Sequence, residues 1–252
     1  MERNYIILNG VNSTTINGLY IKDLPPISKP LMRYTKEEID GRDGDIITKL
    51  GYSAYDKEIT IGLAGDYDIN EVISFFNPEP IENPLNFGVN IPTYINVTFS
   101  NEPEYYYRCE LLEQIDFNAL LKFKTATVKF HCQPFKFKNE EAVTGTTSLS
   151  VTNSGNIYSK PTIMLIGSGT VAISLNGTQV FSVECGEDGS WVAIATEYLE
   201  AIEVTDGFNI QLANRKVTGD YSTFKLPVGT STITFSGGTV TETSVNNYSR
   251  WL

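Results

Sequence analysis

Between Thr125 and Cys132 the chain alternates strictly. Ala126, Val128, Phe130 and Cys132 are apolar, while Thr127, Lys129 and His131 are polar. A period of two places successive side chains on opposite faces of a strand, so the first set turns to a core and the second to water. In a helix of about 3.6 residues per turn the same apolar set would be spread around the whole circumference. The pattern returns at Ile59, Ile61 and Leu63, and at Ile95, Val97 and Phe99. A chain written this way folds mainly as β-sheet.

Turn chemistry separates the strands. Tyr5–Leu8 runs into Asn9-Gly10, a hairpin signal that Asn17-Gly18 repeats. Pro25, Pro26 and Pro30 remove ladder donors and predict an irregular crossing segment. The stretch Ile39–Leu63 organises this half, opening on Asp40-Gly41-Arg42-Asp43-Gly44-Asp45. There Gly41 and Gly44 can take positive φ, and the aspartates can accept from nearby backbone N–H groups. Arg42 is expected to pair with a carboxylate within or between subunits. One helix is expected after Asp68, an N-cap with Glu71 three residues on; Ile69, Val72, Ile73 and Phe76 form its apolar face, and Asn77-Pro78 ends it. A return strand, Tyr105-Tyr106-Tyr107 onward, follows the turn Asn101–Glu104.

Asn139–Thr147 is a break in composition, which predicts a domain of residues 1–138, a linker of 139–147 and a second domain of 148–252. Beyond the break, strands are expected at 148–152, 161–166, 171–175, 178–183, 191–195, 202–204, 208–212 and 230–235. Asn176-Gly177 is the strongest hairpin signal among them. Such spacing argues for a β-sandwich.

Charge narrows the function. The 252 residues carry a formal net charge of −11, and both halves share it: 14 − 19 = −5 through Lys138 and 5 − 11 = −6 beyond. Adhesive nucleic-acid binding needs a basic stripe, and the sequence has none. No apolar run is long enough to span a bilayer, and no signal peptide is expected at Met1. Cys109, Cys132 and Cys185 are odd in number with no CxxC spacing, which favours reduced buried thiols over a disulfide framework or zinc site. His131, the single histidine, lies on a polar strand face with no nucleophile placeable beside it, so no catalytic residues are assigned. Asp40, Asp43 and Asp45 lack the ligand order of a calcium loop, and no metal or cofactor is expected. The carboxylates Glu102/Glu104 and Glu140/Glu141 read as exposed turn and linker residues, not as a glycosidase pair.

Three stretches in order resemble siphophage distal tail proteins (Dit). They are the Gly41-Arg42-Asp43-Gly44 turn, the hairpin Thr98–Tyr107 with its acidic-proline turn and tyrosines, and the strand 126–133 ending in Pro134-Phe135. Asn153–Asn156, Pro161–Gly169, Leu175–Gly177 and the final Pro227–Phe235 are similar to the family's galectin-like C-terminal domain. The resemblance implies a ring-forming N-terminal β domain with one short helix and a C-terminal galectin-like sandwich. It also implies a homo-hexameric hub between tail tube protein and tail-tip protein, docking receptor-binding or upper baseplate proteins, with DNA passing through its lumen. The protein would be made in the host cytoplasm and end in the virion tail tip. Gly41, Arg42, Asp43, Gly44, Tyr105, Tyr106, Tyr107, Pro134 and Phe135 are the expected turn and interface residues. A carbohydrate-binding sandwich on an adaptor domain is the alternative. Against it, the aromatics Tyr158, Trp191, Tyr198, Phe208, Tyr221 and Trp251 are scattered, and only Arg215 and Arg250 offer planar bidentate contacts in that half.

Overall fold

The computed structural model describes residues 3–80, 94–186, 190–205 and 209–252. They fall into two compact units, one of residues up to 80 and 94–136, the other of residues 137–251.

In the first unit the strands are β1 (Ile6–Leu8), β2 (Val11–Asn12), β3 (Leu19–Asp23), β4 (Met32–Glu38), β5 (Asp45–Tyr52), β6 (Tyr55–Leu63), β7 (Ile95–Phe99), β8 (Tyr106–Glu110) and β9 (Thr125–Phe137). Seven of them make one sheet in the order β2-β1-β7-β8-β9-β6-β3. The alternating residues face inward as the pattern requires: Ile59, Ile61 and Leu63 on β6, Ile95, Val97 and Phe99 on β7, and Val128, Phe130 and Cys132 on β9 are all buried. Asn9 and Gly10 turn β1 into β2 with φ of +47° and +87°. Asn17-Gly18 makes no hairpin. Gly18 instead lets the chain pass close to Ala64 and Asp66, where a Cβ would lie 2.6 Å from the Asp66 carbonyl oxygen.

Two helices pack on this sheet. In α1 (Ile69–Phe75) the Asp68 carboxylate accepts from the Asn70 N–H at 2.8 Å, one of the donors a helix start leaves unpaired. Val72, Phe75 and Phe76 are buried, while Ile73 is exposed. The apolar face is therefore rotated from the expected one, because two adjacent phenylalanines outweigh one isoleucine in area. The second helix, α2 (Phe117–Phe123), was not expected from the sequence. Asp116 caps it through the Ala119 N–H, Leu120 seals the core, and Lys124 closes it in the left-handed region.

The second unit holds β10 (Val143–Gly145), β11 (Ser148–Asn153), β12 (Thr162–Leu175), β13 (Thr178–Cys185), β14 (Trp191–Ala195), β15 (Glu200–Thr205), β16 (Asn209–Leu212), β17 (Val217–Gly219), β18 (Gly229–Ser236), β19 (Thr239–Asn246) and β20 (Arg250–Trp251). The stretches expected as two strands at 161–166 and 171–175 are one continuous strand, β12. Its first half pairs with β14 and β19, its second with β13 and β18. The register shifts at Ile166/Gly167, where a Cβ on Gly167 would sit 2.3 Å from the Thr239 carbonyl oxygen. Glycine thus lets one strand serve two sheet faces. Asn176 and Gly177 turn β12 into β13 with φ of +48° and +85°. Leu149, Val151, Ile163, Ile173, Phe181 and Phe235 lie in the core between these strands. Phe208, expected to begin a strand, lies outside the described residues.

Candidate assembly arm and its anchor

Among the described residues strands β4 and β5 pair only with each other, as a two-stranded sheet apart from both larger ones. Their ladder runs from Met32↔Tyr52 to Glu38↔Asp45, with a bulge at Arg33/Tyr34. At the tip, the Arg42 N–H donates to the Ile39 carbonyl at 3.1 Å. Gly41 and Gly44 hold φ of +81° and +80°, and nothing lies within 4 Å of a Cβ built on either. Those two positions need glycine for backbone conformation alone. Lys36 crosses to Asp45 at 3.3 Å and bonds Glu38 at 2.7 Å, a surface cluster that adds little stability.

The arm is exposed over most of both faces. Ile47 and Leu50 on β5 are 58% and 55% exposed, Tyr34 on β4 is 56% exposed, and Leu31 at its foot is 73% exposed. Single exposed apolar residues are ordinary, but a run of them on one hairpin marks a contact surface. A lone two-stranded hairpin is marginally stable in water, and both outer edges of this one offer unpaired N–H and C=O groups to another chain. Everything about it favours being covered.

Its root, by contrast, is held firmly. The Ser53 N–H donates to the Leu31 carbonyl at 2.9 Å, and the Tyr52 ring meets Phe135 edge-on at 5.6 Å. The proline segment that leads into β4 is tied down by carbonyl contacts, since proline offers no N–H. Lys57 Nζ donates to the Pro26 carbonyl at 3.2 Å, and Asn101 Nδ2 to the Pro25 carbonyl at 2.9 Å. Lys57 is buried above the Tyr107 ring, 4.7 Å from its centroid. Burial presses its pKa down, and the Glu102 charge partly restores it.

Glu102 is the centre of this anchor. It is 8% exposed, against the expectation of an exposed turn carboxylate. Lys136 Nζ donates to its Oε1 at 2.6 Å, and the Tyr107 hydroxyl donates to its Oε2. Burial alone would raise the Glu102 pKa; the bonds from Lys136 and Tyr107 and the nearby lysine charges outweigh it and hold the carboxyl below its usual range. Burial, and then the bond to Glu102, raises the Tyr107 phenol far above its usual value. Lys136 also lies over the Tyr105 ring, 4.8 Å from its centroid.

Of the residues singled out in the sequence, Tyr105, Tyr107 and Phe135 thus meet at the root. Tyr106 and Pro134 are half-buried on β8 and β9. Gly41, Arg42, Asp43 and Gly44 stand at the tip, roughly 20 Å away along the strands at their usual rise. Arg42 forms no ion pair with a carboxylate among the described residues. Sequence reasoning missed Lys57, Glu102 and Lys136. A signal existed for Lys57, which shares the inward parity of Ile59 and Ile61.

Elsewhere, His131 meets Asp56 at 2.8 Å and Lys129 bridges Asp56 and Glu113, an ion-pair cluster on the outer face of β6 and β9. No metal-binding group of His, Cys, Asp or Glu occurs among the described residues. In the second unit Arg250, one of the two arginines able to make planar bidentate contacts there, is buried and paired with Glu197 at 2.7 Å. Tyr158 lies beneath Lys225, Tyr221 packs on Phe181, and Trp251 lies near Lys138.

No family model matches the chain. The distal tail protein of Bacillus phage SPP1 is 32% identical over 138 residues, 52% of this chain and 50% of that protein. The match thus spans about half the length of that curated relative. The solved structure of SPP1 Dit, described as a paradigm of hub adsorption apparatus in phages infecting Gram-positive bacteria, superposes with a TM-score of 0.58. It covers 97% of this chain and 98% of that one at 21% identity. Over those 138 residues the chain is similar in sequence to a distal tail protein, and over nearly its whole length it shares that protein's fold. A component of the phage P2 baseplate in its activated, calcium-bound conformation shares the fold across 98% of this chain and 99% of that one, at a TM-score of 0.52 and 9% identity. The strontium form of that baseplate gives 0.51 at 8% identity. Both likenesses of fold extend over both units.

Proposed function

We propose that this protein is a non-enzymatic structural hub of a phage tail tip. In this reading the first unit, within residues 1–138, closes a ring of six copies between the tail tube and the tail-tip protein, and the ring's lumen passes DNA without binding it. The second, residues 148–252, is a galectin-like docking domain for receptor-binding or other baseplate proteins. The protein is synthesised in the host cytoplasm and carried in the virion.

The observation that carries the reading is the β4–β5 arm. Its unpaired edges and exposed Tyr34, Ile47 and Leu50 need a cover, and a neighbouring copy supplies the same cover to every subunit. The Lys57–Pro26 and Asn101–Pro25 contacts fix where the arm leaves its own unit. The net charge of −11 suits a channel that repels DNA rather than gripping it. The names of the matched proteins, a distal tail protein and baseplate components, support the same role.

The test is the mass of the purified full chain by light scattering, alone and with its tail-tip partner, at micromolar concentration. A six-copy species that the Ile47→Asp/Leu50→Asp variant fails to form supports the arm's role. A monomer under both conditions sinks the hub reading.

A further inference from the structure

Cys109 on β8 and Cys132 on β9 are 23 residues apart in sequence but lie on neighbouring strands of the first unit's sheet. Both point to the core, and neither exposes any surface to water. Their sulfurs touch at 2.6 Å, and the Cys132 thiol also lies 3.6 Å from the Phe130 carbonyl. Tyr107 and Phe130, each two residues away on the same faces, are themselves buried beside them. Cys185, the third cysteine, lies at the end of β13 in the other unit.

We infer that Cys109 and Cys132 form an intramolecular disulfide that staples β8 to β9 once the protein leaves a reducing compartment. The step is an oxidation of two thiols. As the S–S bond forms the pair loses two protons and two electrons, and a small-molecule disulfide takes them up and departs as two thiols. Oxidised glutathione is an oxidant of that class. The first attack needs a thiolate, and burial, followed by the hydrogen bond to Cys132, raises the Cys109 thiol well above its ordinary pKa. The closed sheet therefore reacts slowly, and the bond closes when β8 and β9 open or as the chain folds. Once made, it is shielded from reductants by the same burial. The position is apt, because β8 and β9 also carry Tyr107 and Lys136, the two groups that hold Glu102. The inference stands on the geometry of the first unit and does not depend on the tail reading.

The experiment uses the full chain. One portion is purified under reductant and another is refolded from denaturant in a buffer of oxidised and reduced glutathione. Both are then unfolded in alkylating agent, and their masses and proteolytic fragments are measured. The refolded portion should carry one alkyl group, on Cys185, with a fragment joining Cys109 to Cys132; added reductant should restore three. Its melting temperature should exceed that of the reduced portion by roughly 5 °C, since the bond removes freedom from the unfolded chain. Cys132→Ala should abolish both the joined fragment and the difference. If that variant fails to fold, the fragment map of the parent decides alone. Three alkylated cysteines after refolding, a bond involving Cys185, or equal melting of the two forms would overturn the inference.

Discussion

Replacing Glu102 by Gln tests whether the anchor is a true buried charge network. The substitution keeps the shape of the side chain and an oxygen able to accept from Tyr107, but removes the charge facing Lys136 at 2.6 Å. Breaking a fully buried pair by removing one partner costs about 3–5 kcal/mol, because the remaining charge is left without compensation. The Lys136 side chain is 13% exposed, so water repays part of that loss, and about 2–3 kcal/mol is expected. Lys136→Met should cost a similar amount, since it strands the carboxylate. The double variant leaves no orphan charge and should lose about 1–2 kcal/mol less than the sum of the two. Urea denaturation of the four proteins gives the cycle directly. Two single losses below about 0.5 kcal/mol, or strictly additive losses, would refute a coupled buried pair at this site.

The depressed Glu102 pKa means that its contribution is complete above the unfolded value near 4.3 and lost as pH falls through the folded value, so the parent should lose stability below about pH 4 by more than Glu102→Gln does; a pH series of melting curves reads this. Gly44→Val should destabilise the arm by roughly 1 kcal/mol or more through its φ of +80° alone, with no steric clash, and hydrogen exchange should place the loss in β4 and β5. Leu120→Ala empties a fully buried site under α2 and should cost about 2–5 kcal/mol in denaturant unfolding.

The strands with one buried face were legible, because alternation records which side meets the core. β6, β7 and the first part of β9 lie where their patterns put them. The arm was not legible for the same reason reversed. Met32–Glu38 and Asp45–Tyr52 are exposed on both faces over most of their length, so no alternation marks them, and only the glycine-rich tip between them shows. Thr239–Asn246 is likewise polar over most of its length and gave no strand signal. α2 is seven residues long, too short for a helical period to stand out beside the strand that follows it. Glu102 sits in a turn, and its charge partner Lys136 lies 34 positions later in the chain, which local reading cannot weigh. The meeting of Cys109 and Cys132 depends on strand order, not on spacing.

In the proposed function the arm of each copy closes a ring with its neighbours. Negative-stain images of the purified full chain, taken alone and with its tail-tip partner, test it most directly. Rings with six-fold symmetry and an open centre are expected, lost when Ile47 and Leu50 are both replaced by Asp. Separate two-lobed particles in both preparations, or rings unchanged by those substitutions, would contradict it.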